Sequence, residues 1–196
     1  DRDNLTNIEE LVHRTNPDNN DTDGDLLLDG DEVKKYGTDP TDRDTDGDKM
    51  DDYFEVSNNL DPLTPDVSPP QIVTIYFDRD AKRGDNLTVV AEVYDDSAIK
   101  DVFLAYRTYG SWLWLKMNYN GTHYIATIVD IEATKYEFKV VAIDYAGNQN
   151  ETQIYTITPI EEYEYPTPMI ALILAVLVAT VLLIVFRIRM RKRRDT

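Results

Sequence analysis

Carboxylates recur at every second position in two short stretches: Asp21, Asp23 and Asp25 in DTDGDLLLDGDE, and Asp44, Asp46 and Asp48 in DTDGDKMDDYFE. Like charges this close repel unless a cation joins them. Alternating short carboxylates on a tight loop point inward together, which suits a hard divalent ion such as calcium, taking six to eight oxygens at ~2.3–2.6 Å. Written as a twelve-residue calcium loop, positions 1, 3, 5, 9 and 12 are Asp21, Asp23, Asp25, Asp29 and Glu32, then Asp44, Asp46, Asp48, Asp52 and Glu55. Leu27 and Met50 fall at position 7, where the backbone carbonyl is the ligand and the side chain is free to be apolar. An upstream copy, DRDNLTNIEE, offers Asp1, Asp3, Asn7 and Glu10 at positions 3, 5, 9 and 12, half a site. The expected cofactor is Ca2+; magnesium tolerates such flexible geometry less well. Position 6 is ordinarily Gly for the sharp turn, yet here it is Asn4, Leu26 and Lys49. Leu and Lys cost roughly 1–2 kcal/mol in a left-handed backbone, so the expectation is a different turn or a weakened affinity.

The elements around these loops must be short. Residues 33 to 43 separate Glu32 from Asp44, and YGTDPTD, with a helix-ending Gly and a Pro, occupies most of them. One or two helical turns fit near Asp31 to Tyr36, not the paired long helices of a calcium sensor, so the sites are expected to be structural. A disordered acidic tail would share this composition, but it has no reason to keep a ligand register twice at a period of 22 to 23 residues. Without metal the zone is expected to be largely unfolded, because binding energy is folding energy where no preformed site exists.

Charge divides the chain into zones. Residues 1 to 66 hold 21 acids and 6 bases; residues 67 to 166 hold 15 and 8; residues 167 to 196 hold one acid and six bases. A net charge of −17 excludes nucleic acid as a natural partner, since phosphate binding needs a basic footprint. The absence of cysteine excludes disulfides, thiolate metal sites and a cysteine nucleophile. No enzyme activity is expected: His13 and His123 lie in different zones and neither belongs to a His-Glu-x-x-His helix, a nucleophile elbow or a phosphate loop.

Residues 169 to 186, MIALILAVLVATVLLIVF, carry no charge and as a helix would reach about 27 Å, close to the ~30 Å hydrocarbon core. RIRMRKRR follows and EEYEYPTP precedes. Basic flanks stay in the cytoplasm, so a single pass through the plasma membrane is expected, with the N-terminal region outside, Tyr163 and Tyr165 near the outer interface and a lipid bilayer as partner of 169 to 186.

DPLTPDVSPP, residues 61 to 70, reads as a stiff linker. Beyond it the apolar period is two: Leu87, Val89, Ala91 and Val93 share one face. Strands are expected near 71 to 77, 86 to 94, 99 to 108, 112 to 117, 123 to 129, 135 to 144 and 151 to 157. The fold class is therefore mainly β: calcium-loop repeats with brief helices over 1–60, the linker over 61–70, a seven-stranded sandwich over 71–158, a juxtamembrane stalk over 159–168, the transmembrane helix over 169–186 and a cytoplasmic tail over 187–196. Trp112 and Trp114, with Tyr109 and Tyr119, could face a sugar or a partner, although core packing with cross-strand pairs accounts for them more simply. Asp95, Asp96 and Asp144 could form a further calcium site at one end of the sandwich. Asn4, Asn20, Asn86, Asn120 and Asn150 begin sequons; those away from the loops, Asn86, Asn120 and Asn150, are the candidate glycan acceptors.

NPDNNDTDGD and YGTDPTDRDTDGD resemble the thrombospondin type 3 calcium-binding repeats of prokaryotic surface proteins. That resemblance implies ions wrapped by chain with little apolar core, and further ions held through Asp18, Asp39 and Asp42. AEVYDDSAIKDVFLAYR with YEFKVVAIDYAGNQNET is similar to immunoglobulin-like and fibronectin type III-like domains of such proteins, which implies a spacer or binding module without catalytic residues. Together these imply a calcium-stiffened structural or adhesion protein of an archaeal or bacterial envelope, with a protein or glycan partner on the cell surface. The alternative is the stalk and anchor of a longer exported enzyme, for example a protease, or of an envelope-layer subunit.

Overall fold

The computed structural model describes residues 2–161 and residue 180. Residues up to Pro159 form one compact unit and those from Ile160 another. Asp1, Tyr163, Tyr165, the tail and, apart from residue 180, the apolar segment 169–186 lie outside the described residues; among those described, no helix is long and apolar enough to cross a membrane.

Three short helices mark the acidic zone: α1 (Asn7–His13), α2 (Asp29–Asp31), continued by a π-helical turn over Glu32–Tyr36, and α3 (Asp52–Asn58). Each begins at position 9 of its loop. Each helical stretch ends on a left-handed residue, Arg14, Gly37 or Asn59, whose N–H returns to the carbonyl of the position 12 glutamate. A full amphipathic helix is impossible at this length, and the buried apolar content is correspondingly small, Leu27 and Met50 with Pro40 and Pro62 among the described residues, whereas Glu10, Asp29, Glu32, Asp52 and Glu55 are each 2% exposed or less. The zone is inverted relative to an ordinary core, with acids inside.

Among the described residues the sandwich has nine strands: β1 (Gln71–Phe77), β2 (Leu87–Tyr94), β3 (Ile99–Arg107), β4 (Leu113–Lys116), β5 (Asn118–Tyr119), β6 (Tyr124–Ile128), β7 (Tyr136–Asp144), β8 (Gln149–Glu151) and β9 (Tyr155–Ile157). One sheet runs β1-β2-β6-β5 and the other β4-β3-β7-β8, with β9 also on β7, and every pairing is antiparallel. A sheet of β1, β2, β5 and β6 facing one of β3, β4, β7, β8 and β9 is an immunoglobulin-like or fibronectin type III-like arrangement.

Two expectations change. The strand expected over 112 to 117 continues past Lys116 into the other sheet, because Met117 turns inward, 2% exposed, and donates its N–H to Val102 O at 2.8 Å. The strand expected over 151 to 157 is split into β8 and β9 around Thr152, whose Oγ1 accepts from Val140 N at 3.1 Å in place of a backbone carbonyl. The inward face of β2 is the expected one: Leu87, Val89, Ala91 and Val93 pack with Val102, Leu104, Phe138, Val140 and Ile157. Phe77 meets the Phe138 ring edge-on at 4.8 Å.

The linker does not stand free. Asn150 Nδ2 donates to Pro70 O at 2.9 Å, Asn148 Nδ2 donates to Asp66 O at 3.0 Å, and Lys49 Nζ donates to Ala146 O at 2.7 Å. Phe54 of α3 packs at a tilt against Tyr145 with ring centroids 4.7 Å apart, so the last repeat is docked on the loop after β7.

Candidate metal centres

The two complete loops repeat the same hydrogen bonds one register apart. At position 1, Asp21 Oδ1 accepts from Gly24 N at 2.8 Å and Asp44 Oδ1 from Gly47 N at 2.9 Å. At position 3, Asp23 Oδ1 accepts from Asp25 N and Asp46 Oδ1 from Asp48 N, both at 3.2 Å. At position 5, Asp25 Oδ1 accepts from Leu27 N at 2.6 Å and Asp48 Oδ1 from Met50 N at 2.8 Å. The partial copy has the same bond, Leu5 N to Asp3 Oδ1 at 2.8 Å. In the complete loops backbone donors thus hold one oxygen of each position 3 aspartate and leave the other without a partner, whereas the position 1 and position 5 aspartates accept backbone N–H groups on both oxygens.

The turn expected to differ at position 6 does not. Asn4, Leu26 and Lys49 have φ of 76°, 89° and 81°, the left-handed conformation that Gly would supply. The cause is local: Leu26 N donates to Asp21 Oδ2 at 3.2 Å and Lys49 N to Asp44 Oδ2 at 2.7 Å. Only a reversed backbone aims that N–H at the position 1 carboxylate.

One oxygen each of Asp21, Asp23 and Asp25 lies within 4.8 Å of the others, and so for Asp44, Asp46 and Asp48. Asp23 Oδ2, Asp46 Oδ2, Glu32 Oε2 and Glu55 Oε2 are buried and have no hydrogen-bond partner. Burial, then the charge of Asp23, pushes Glu32 up to about 8, and burial, then Asp46 and Asp48, pushes Glu55 up to about 8. Burial likewise raises Asp23 and Asp46 to about 6, with neighbouring aspartates adding to it. Buried oxygens without donors, held among like charges, fit a hard divalent cation, which takes oxygen ligands and inverts this electrostatic penalty. These acidic clusters could hold a metal ion.

The other expected ligands fall into place differently. Asp29 and Asp52, at position 9, are fully buried, and both oxygens of each accept from a threonine: Thr22 N and Oγ1 at 2.7 Å for Asp29, Thr45 N and Oγ1 at 2.9 and 2.7 Å for Asp52. Their first task is to brace the start of the loop against the helix; position 9 often acts on calcium through a water. Glu10 is buried but Asn7 is exposed, and Asp1 lies outside the described residues. Asp39 Oδ1 is taken by Thr41, and Asp18, Asp39 and Asp42 are in no cluster of three acids among the described residues.

A third cluster joins Asp66, Asp95 and Asp144. Asp95 and Asp144 were visible as end-of-strand acids; Asp66, not the exposed Asp96, completes the set. Burial raises Asp144, and the charge of Asp66 adds to the shift.

The tryptophans do not enter the core. Trp114 is 55% exposed and meets Phe103 edge-on at 6.0 Å, while the Arg107 guanidinium lies 4.4 Å over the Trp112 ring. The cross-strand pairing expected for them holds; the packing inside does not. Among the sequons, Asn150 spends its Nδ2 on Pro70 O, whereas Asn86 and Asn120 are exposed and use Oδ1 only, towards Asp130 N, and towards Thr122 and His123 N.

No family model and no curated protein matches this sequence. Solved structures similar to part of it include fibronectin(III)-like modules of Clostridium thermocellum CbhA, 15% identical, covering 47% of this chain and 100% of that one with a TM-score of 0.36. The fibronectin type-III domain of human fibronectin type III domain containing protein 3 is 16% identical and covers 53% of this chain and 98% of its own, at 0.36. A myokine structure is 17% identical, covering 47% of this chain and 100% of its own, with a TM-score of 0.38. At scores this low the likenesses carry no weight for function, and the sandwich reading stands on strand order and register.

Proposed function

We propose that this chain is a calcium-binding structural or adhesion module of a prokaryotic cell surface, held to the membrane by residues 169–186. The observation that carries it is the twice-repeated loop in which three aspartates converge beside a buried glutamate whose Oε2 has no donor. Asp21, Asp23, Asp25 and Glu32 would hold one ion, and Asp44, Asp46, Asp48 and Glu55 a second, with the Leu27 and Met50 carbonyls completing each shell. The bound ion supplies the positive charge that the acids lack. Its consequence is mechanical: with Leu27, Met50, Pro40 and Pro62 as the buried apolar side chains of the zone among the described residues, the repeats become rigid only when the carboxylates are joined. The thrombospondin type 3 resemblance supports the same reading. The apolar run followed by six bases supports the anchor and its orientation, since a positive flank stays in the cytoplasm.

Circular dichroism and calcium titration of the full chain test the proposal. Saturable binding of at least two ions, with helical signal lost in chelator, is expected. An unchanged spectrum between chelator and millimolar calcium, with no ion retained, would refute it.

A further inference from the structure

We propose a third divalent-cation site, separate from both loops, formed by Asp66, Asp95 and Asp144 where the linker meets the sandwich. Its ligands come from three places: Asp66 follows Pro65 in the linker, Asp95 follows β2, and Asp144 ends β7. One carboxylate oxygen of each lies within 4.8 Å of the others. Asp144 is fully buried, and its Oδ1 accepts from Asn148 N at 2.7 Å, which leaves Oδ2 buried with no partner. Asp95 repeats the pattern, with Oδ1 taking Ser97 N at 2.9 Å and Ser97 Oγ at 2.6 Å. Asp66 does the same through Ser68 N at 2.8 Å. Each keeps a buried, donorless Oδ2, and among the described residues no Lys or Arg pairs with any of the three. A buried carboxylate oxygen facing two others costs free energy unless a cation sits between them. The all-oxygen donor set selects a hard ion of the calcium class.

This site is wired to the second loop. Asp66 N donates to Asp48 Oδ2 at 2.8 Å, just as Tyr53 N of α3 donates to Asp25 Oδ2 at 2.9 Å. In both complete loops the position 5 aspartate is therefore clasped by a backbone N–H of the element that follows, and the linker takes the place that a further repeat would take. An ion at Asp66 fixes that N–H, and thereby sets how the last repeat sits on the sandwich. The inference goes beyond loop binding and does not require it.

The test is a calcium titration of the full chain in detergent, read by native mass spectrometry, on the natural sequence, Asp95→Asn, Asp144→Asn and the double variant Glu32→Gln/Glu55→Gln. Asparagine retains the oxygen used by Ser97 or Asn148 and replaces the free one with a donor that cannot ligate. Altering outer-shell partners alone costs about 10–100-fold in metal affinity, so losing a ligand is expected to cost at least tenfold. Each asparagine variant should hold one ion fewer, while the double glutamine variant keeps the junction ion. A second readout separates ligation from mere structure: Asp144→Asn should melt no lower than the natural chain in chelator and lower in calcium. Equal ion counts in the natural chain and both asparagine variants, or an equal loss of stability with and without calcium, would overturn the proposal. One ion, lost only on Asp95→Asn and Asp144→Asn, would support the junction site while refuting the loops; ions lost only with the glutamates would do the reverse.

Discussion

Leu26 is the residue at which a stabilising change can be worked out from the backbone. Its φ is 89° and its side chain is 69% exposed, so replacement by Gly removes little packing. The N–H that bonds Asp21 Oδ2 at 3.2 Å is retained. A left-handed L-residue costs about 1–2 kcal/mol, and Gly returns about 0.5–1 kcal/mol of that as extra entropy of the unfolded chain. Leu26→Gly should therefore stabilise the fold by about 0.5–1 kcal/mol. For a chain of this length that is a rise in melting temperature of about 1–4 °C. If the loop opens in the metal-free protein, the same free energy appears as about two- to fivefold tighter calcium binding. Differential scanning calorimetry in saturating calcium, with a calcium isotherm, measures both. Leu26→Asn should fall between, since Asn accepts this conformation more readily than Leu. Lys49→Gly relieves the same strain at φ 81° but forfeits the bond to Ala146 O, so its gain should be smaller. A melting temperature lowered by Leu26→Gly in saturating calcium would refute the reasoning.

Gly30 presents the opposite case. A Cβ there would collide with the Asp3 carbonyl oxygen, so Gly30→Ala must push the first half-repeat off α2. A destabilisation of about 1–3 kcal/mol is expected, seen as faster proteolysis within residues 1–20; unchanged proteolysis would contradict that close approach. In chelator, stability should fall as pH rises from about 4.5 towards 8. Glu32 and Glu55 titrate near 8 in the fold against an ordinary 4.5, so the folded chain holds protons that the unfolded one has released. Saturating calcium should reverse the slope, because ligands must be deprotonated to bind; identical pH profiles with and without calcium would count against ligation by these glutamates. In a glycosylating host, mass spectrometry of peptides should find glycan on Asn86 and Asn120 in preference to Asn150, whose Nδ2 is bonded to Pro70 O; full occupancy at Asn150 would mean that this contact forms late or weakly.

The twelve-residue register was legible in the sequence because each of its hydrogen bonds spans two to seven residues: Asp25 with Leu27, Asp21 with Gly24, Asp29 with Thr22. The strands were legible for the same reason, since alternation along β2 needs only its own eight residues. What the sequence could not carry is what distant segments do to one another. Trp112 and Trp114 look fit for a core by residue type, yet Trp114 is left 55% exposed beside Phe103 and Trp112 lies under Arg107 of the neighbouring strand. Leu26 and Lys49 read as departures from a glycine turn, and only the bonds to Asp21 and Asp44 reveal that the turn is kept and the strain accepted. Of Asp66, Asp95 and Asp144, the sequence offered the two strand-end acids but put Asp96 in the place of Asp66, which shares no spacing with them. They meet because the linker folds back on the loop after β7. The sequence by itself determined where charges repeat and which faces alternate, both local properties; the tertiary structure decided which carboxylates share a site, because that depends on how repeat, linker and sandwich close on one another.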